Sequence, residues 1–165
     1  MKKSTYLLVL LAFLMLGCTD NVEFNNPAMQ ANQEGETWKA DFFAADIDFG
    51  GFLFEGRRGA EVLQLIASDD RRGSYEIGPE TGSVAIFKDA DGTIYSTNNM
   101  PDPSISVYPG EGFLEVTDVD DFDPKRVIGN FWFNAYSEDG LRSVNFIGGV
   151  LYKVSLTGGL LALPD

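Results

Sequence analysis

Apolar and polar residues trade places every second position along much of this chain, and that period predicts strands. Trp38, Ala40, Phe42 and Ala44 alternate with Lys39 and Asp41. Further strands are expected over 51–57 and 61–67 around a turn at Gly59, and over 73–77, where Gly78-Pro79 stops the run. Strands at 83–88 and 93–96 flank Asp89-Ala90-Asp91-Gly92, whose Asp-Gly pair reads as a type I′ hairpin turn. The last third predicts the longest strands, 112–119, 126–137 and 141–156, the latter two reversing at Glu138-Asp139-Gly140. Within 126–137, Val127, Phe131, Phe133 and Ala135 share one face and Ile128, Trp132 and Tyr136 the other, so both faces are expected to find cover. Gly148-Gly149 interrupts the final strand and predicts a bulge or a close backbone approach. Apolar residues do not recur at three and four, and no helix is expected beyond the leader. About nine short strands point to an all-β fold, an antiparallel β-sandwich or a partly open barrel.

The amino terminus breaks this pattern. Lys2 and Lys3 precede an uncharged apolar run from Tyr6 to Leu16, and Gly17 stands directly before Cys18, the only cysteine of the chain. The run is about half the roughly 20 residues a membrane-spanning helix needs, so a cleaved export signal over 1–17 is expected. Leu14-Met15-Leu16-Gly17-Cys18 resembles the lipobox of bacterial lipoproteins. That resemblance implies a diacylglycerol thioether on Cys18, cleavage before it and acylation of the new amino terminus. Each buried methylene contributes about 0.8 kcal/mol, so several acyl chains would hold the protein firmly at a membrane. Residues 18–36 are rich in Asn, Gln, Asp and Glu and are expected to form a flexible tether to a single β-domain at 37–165. Asp20 and Glu23, close behind the cysteine, resemble the surface-export signal of Bacteroidota lipoproteins. The implied location is the outer membrane, lipid-anchored, facing the periplasm or the cell surface.

Composition narrows the chemistry. The formal net charge is −13, with 25 acidic and 12 basic residues, and the basic pairs Arg57-Arg58 and Arg71-Arg72 are isolated. Such a surface repels phosphate backbones, and no nucleic-acid partner is expected. The chain has no histidine, which excludes Ser-His-Asp and Cys-His triads, His-ligated zinc and an imidazole base. No catalytic residues are assigned, and the domain is read as non-catalytic. Asp118, Asp120, Asp121 and Asp123 fall within six residues and form the candidate calcium site, since hard cations gather carboxylate oxygens. A solvated hairpin tip with Pro124, Lys125 and Arg126 as turn and counter-charge is the competing reading. No other cofactor is expected.

The thirteen Phe, six Tyr and two Trp mostly occupy alternating strand positions, where core packing explains them. Trp38, Trp132, Tyr95 and Tyr108 are the candidate binding residues, because an indole or phenol exposed on a sheet is a stacking platform. The irregular loop 97–110, with Pro101, Pro103 and Pro109, is a candidate recognition loop. Trp-x-Ala at 38–40, Gly-Ser-Tyr at 73–75, Gly-Asn-Phe-Trp-Phe-Asn-Ala at 129–135 and Val-Asn-Phe-x-Gly-Gly-x-x-Tyr-x-Val at 144–154 together resemble an uncharacterised family of small β-rich Bacteroidota lipoproteins. The resemblance covers 37–154 and implies a fold and a compartment, with no activity. The expected role is an interaction or accessory module with a protein or glycan partner. The alternative is a small-molecule or glycan binder carrying a structural calcium.

Overall fold

The computed structural model describes Asn26 and residues 28–47 and 50–164; the leader, Cys18 and the first part of the expected tether lie outside these residues. Eleven strands form the described fold: β1 (Ala28–Gln33), β2 (Glu36–Lys39), β3 (Phe42–Asp46), β4 (Leu53–Arg58), β5 (Glu61–Ile66), β6 (Gly73–Ile77), β7 (Val84–Lys88), β8 (Ile94–Ser96), β9 (Glu111–Asp120), β10 (Arg126–Ser137) and β11 (Ser143–Ser155). Nine of them follow one antiparallel path, β2-β1-β11-β10-β8-β7-β5-β4-β3, which curls into a half-barrel. The path forks at β10. That strand pairs with β8 only at Tyr136 and Ser137, and over Arg126–Asn134 the same edge pairs with β9, which in turn carries β6. The fold is all-β, and no helix occurs among the described residues.

The two ends of the path are consecutive in sequence. Ala40 donates its N–H to Met29 of β1, at 3.0 Å, and Asp41 donates to Arg57 of β4, at 2.7 Å. One expected strand over 38–44 is thus two, bent where it changes partner. The bend also changes faces: Trp38 and Ala40 enter the core, whereas Phe42 is exposed and Phe43 and Ala45 take the inward positions.

Residues 28–33, expected as tether, form β1 instead. Met29 and Ala31 alternate with Gln30 and Asn32, a period of two that the polar composition conceals, and their backbone groups pair with β11 on one side and β2 on the other. Glu34 and Gly35 both have positive φ, 52° and 95°, and make a two-residue hairpin turn. Asn32 Oδ1 accepts the Gly35 N–H at 2.8 Å. The 89–92 turn differs from expectation in type. Gly92 alone has positive φ there, so the turn is a type I turn closed by a glycine bulge, with Asp89 Oδ1 accepting the N–H groups of Asp91 and Thr93.

Inside the curl, large rings fill the concavity. Phe146 on β11 stacks on Phe133 with centroids 4.9 Å apart and meets Phe87 at 5.0 Å and Trp38 at 5.8 Å edge-on. It therefore ties β2, β7 and β10 together through one side chain. Gly149, at the expected interruption of β11, lies against the Phe131 ring. A Cβ there would sit 2.6 Å from three ring carbons, and the register with β10 shifts at this point.

The outer face of β3–β5 is covered by the C-terminal segment. Leu160 packs with Ala44 and Leu53, its N–H donating to Asp46 at 3.0 Å. Gln64, fully buried, donates through Nε2 to Glu55 at 2.6 Å and to the Leu161 carbonyl at 2.8 Å, and its Oε1 accepts the Leu163 N–H at 2.8 Å. A buried amide and carboxylate are tolerated because each polar atom is paired.

Replacing Phe146 by Ala is expected to remove about 3–5 kcal/mol of stability, the usual range for truncating a buried Phe. Phe146→Leu should cost clearly less. Urea unfolding followed by far-UV circular dichroism gives both values, and equal costs would contradict the role of the ring.

Candidate functional site

Outward positions on β6, β9 and β10 build a groove. β9 alternates strictly, with Leu114 and Val116 buried and Phe113 and Glu115 facing out; β10 does the same with Phe131 and Phe133 against Asn130 and Trp132. Register places Glu76, Phe113 and Trp132 in one row across the three strands. Beside that row lies a groove of about 470 Å³, rimmed by Pro79, Thr81, Pro109 and Glu111. Glycines form its base by letting backbones touch: a Cβ on Gly112 would lie 2.6 Å from the Phe133 Cβ, and one on Gly110 only 2.3 Å from the Thr97 carbonyl oxygen. One wall is the 78–83 turn, braced by the Thr81 hydroxyl, whose one proton is shared between the carbonyls of Gly78 at 2.9 Å and Ser83 at 3.0 Å.

Trp132 is 38% exposed, and the groove takes one edge of it. Its sequence neighbours Phe131 and Phe133 point the other way, into the core, where their ring centroids are 6.4 Å apart. The platform is thus an aromatic ring carried on a strand whose inner face is packed. Glu76 and Glu111 supply acceptor oxygens at its margin. Glu76, Phe113 and Glu111 were not singled out from sequence. Counting back from the β9–β10 turn would reach Leu114 instead of Phe113, because the register shifts by one between Ile128 and Gly129.

The other sequence-derived binding residues separate from this site. Trp38 is fully buried, a core ring rather than a platform. Its indole N–H donates to Glu61 at 2.8 Å, and Arg58 donates to the same carboxylate through Nε at 2.7 Å and Nη2 at 3.1 Å. Tyr95 is also buried, its ring against Phe87 and its hydroxyl 3.3 Å from Asp89. Burial, then the Asp89 charge, pushes its phenol above the ordinary tyrosine range. Tyr108 is 72% exposed, on the residue before the groove-lining Pro109. Its loop is fastened to the end of β10 by Asn99 Nδ2 donating to the Tyr136 carbonyl at 2.8 Å and by the Tyr136 hydroxyl bonding Ser106 at 3.2 Å.

The candidate calcium ligands are not brought together. Asp120 is taken by Arg126, which donates from Nε at 2.8 Å and Nη2 at 2.6 Å, and it also accepts the Phe122 and Arg126 N–H groups. The Arg126 guanidinium holds its carboxyl below the ordinary range and stacks over Phe122 at 3.6 Å. Asp118 pairs with Arg72 at 3.3 Å, and Asp121 and Asp123 point to solvent. Among the described residues no three acidic side chains group as metal ligands. The reason is register: Asp120 and Arg126 face each other across the hairpin, so the nearest counter-charge is built in.

A second depression of about 360 Å³ lies between the 92–94 and 137–142 segments. Its Arg142 is already engaged, donating to the Thr93 hydroxyl at 2.5 Å and pairing with Asp91 at 3.5 Å. The groove beside Trp132 is therefore the better candidate.

Two measurements check this geometry. In a protein with two tryptophans, acrylamide should quench the Trp38→Phe variant, which keeps Trp132, strongly; it should leave Trp132→Phe almost unquenched. Glu61 gives a pH signature. Burial works to raise its pKa, but hydrogen bonds from Arg58 and Trp38 and the Arg58 charge outweigh it, leaving the carboxyl below its usual value. A depressed folded pKa contributes stability above the unfolded pKa that is lost as pH falls through the folded one. Wild type should accordingly lose more stability than Glu61→Gln on acidification through the carboxylate range, by on the order of 1 kcal/mol. Parallel urea titrations at several pH values read the difference.

Neither the curated proteins nor the solved structures hold a match to this chain. A family model does match, over residues 25–155, from β1 to the last residue of β11. That span takes in all eleven strands and the groove, and the chain belongs to the family described as a domain of unknown function, DUF6252.

Proposed function

We propose that the chain is a lipid-anchored outer-membrane lipoprotein whose β-domain is a non-catalytic binding and accessory module, with the groove beside Trp132 as its recognition site. The half-exposed indole at that groove carries the reading. A rigid apolar ring with acceptors at its rim suits a small neutral ligand or glycan, which offers C–H faces to stack and hydroxyls to donate. Acidic rims at Glu76 and Glu111 disfavour anions. The absence of histidine from the sequence fits binding better than acid–base turnover near neutral pH. Anchoring rests on the leader and Cys18. The span between Cys18 and β1 at Ala28 is nine residues of chain, 19 to 27, enough to reach about 30 Å when extended. That length lets the groove face away from a bilayer.

Cys18→Ser should shift the protein from the membrane fraction to the soluble fraction, as read by fractionation and immunoblotting of cells expressing the full chain. Mass spectrometry of the wild-type protein should find a chain that begins at a lipid-modified Cys18. Retention of the variant in the membrane, or an unmodified thiol on the wild type, would remove the anchoring half of the proposal.

A further inference from the structure

The outward sheet does not stop at the groove. Two residues along β10 from Trp132 stands Asn130, exposed, paired with Glu115 of β9 on one side and with Val150 of β11 on the other; Val150 in turn pairs with Gln30 of β1. Two residues further along β11 is Tyr152, opposite Ala28. There Ala28, Gln30, Val150 and Tyr152 line a shallow, apolar depression of about 280 Å³. Along this face, aromatic Trp132 on β10, an amide and carboxylate row, and aromatic Tyr152 on β11 follow one another, the Lys153 ammonium standing 5.1 Å from the centre of the Tyr152 ring. Four residues of strand separate the row of Trp132 from that of Tyr152, roughly 13 Å at the usual rise.

We propose that this face is a linear glycan platform: it takes a neutral oligosaccharide of several sugar units laid along β10 and β11, stacked on Trp132 and Tyr152, with Asn130, Gln30 and Glu115 bonding its hydroxyls. The inference rests on the groove reading above and names its ligand. The side-chain chemistry selects this class. Amides both donate and accept, and Glu115 accepts, which matches hydroxyls that do both. A phosphorylated or uronate chain would meet the carboxylates of Glu76, Glu111 and Glu115. Aromatic rings at both ends with a polar centre fit a repeating ligand that alternates apolar C–H faces and hydroxyl edges. A flat apolar partner would leave that centre desolvated without return.

The test uses the full chain in mild detergent, run through native gels cast with mixed-linkage β-glucan, galactomannan, α-mannan or arabinoxylan, with polygalacturonate as the anionic control. Oligomers of the retarding polymer, from one to six sugars, are then titrated against Trp132 fluorescence in Trp38→Phe. Retardation by at least one neutral polymer and none by polygalacturonate is expected. Affinity should rise several-fold from one sugar to three or four and then level off. Trp132→Ala, read by isothermal titration calorimetry because it lacks the reporter ring, should weaken binding of every length by roughly tenfold or more, and Tyr152→Ala should weaken only the longer oligomers, by several-fold. Binding that does not depend on length and ignores Tyr152→Ala, yet is lost in Trp132→Ala, would overturn the platform and leave the groove standing. No neutral polymer bound by a folded protein would overturn the platform and remove the glycan from the groove. A Trp132 response to poly-lysine alone would do the same while keeping the groove as a binding site. Circular dichroism of each variant establishes that it is folded.

Discussion

Phe146 is the side chain on which the curl depends. A single sheet bent into a half-barrel must fill its concave side with whatever its own strands supply, since no second layer occurs among the described residues. Phe146 reaches Phe133, Phe87 and Trp38 at once and so couples the β10–β11 hairpin to β7 in the middle of the path and to β2 at its end. Room for this cluster is made by omission elsewhere. Gly56 on β4 has no Cβ, and one there would fall 2.7 Å from Met29 Sδ and 3.0 Å from the Trp38 ring. Trp38 can then lie flat across the interior, and the bend at Ala40 and Asp41 follows from the ring staying in while the chain moves on to β4. The Glu61–Arg58 pair completes the site by giving the indole N–H a charged acceptor at the rim.

Spending the large rings inward defines what remains outside. On β9 and β10 the inner positions are filled by Leu114, Val116, Phe131 and Phe133, so the outer ones are free of packing duty. Trp132 and Phe113 take directly opposite strand positions there. A rigid strand position and edging prolines give the groove beside Trp132 a shape that exists before any ligand arrives, which would lower the ordering cost of binding.

The hairpin of β10 and β11 was legible in sequence because both strands are long and strictly patterned; 126–137 matches β10 to the residue. Gly149 was legible too, as an interruption: Gly148 holds the positive φ of 59° and Gly149 leaves room for the Phe131 ring. β1 was not. Six residues dominated by amides carry too weak a period to outweigh composition, and their partner β11 lies more than a hundred positions away. Alternation also gives two faces without saying which one is covered. Trp38 and Trp132 look equivalent in sequence, yet one is enclosed by the curl and the other lies outside it. The four aspartates failed for the opposite reason: proximity in sequence is not proximity of side chains in a hairpin, where neighbours diverge and Arg126 stands opposite Asp120.

Charge and curvature then act on the same surface. A chain with 25 acidic and 12 basic residues carries a net negative field at long range. At short range, the cations on the described surface are largely engaged: Arg57 with Glu55, Arg58 with Glu61, Arg71 with Asp69, Arg72 with Asp118, Arg126 with Asp120 and Arg142 with Asp91. The glutamates along the outward rows of β6 and β9 have no such partner assigned by strand register: Glu76 faces Phe113, and Glu115 faces Asn130. Carboxylates next to aromatic rings on a convex sheet remain hydrated and ready to accept hydrogen bonds. Accessible acceptors therefore stand beside Trp132, and it is this coincidence of supply and platform, more than any single residue, that supports the proposal of a recognition surface on the outer sheet.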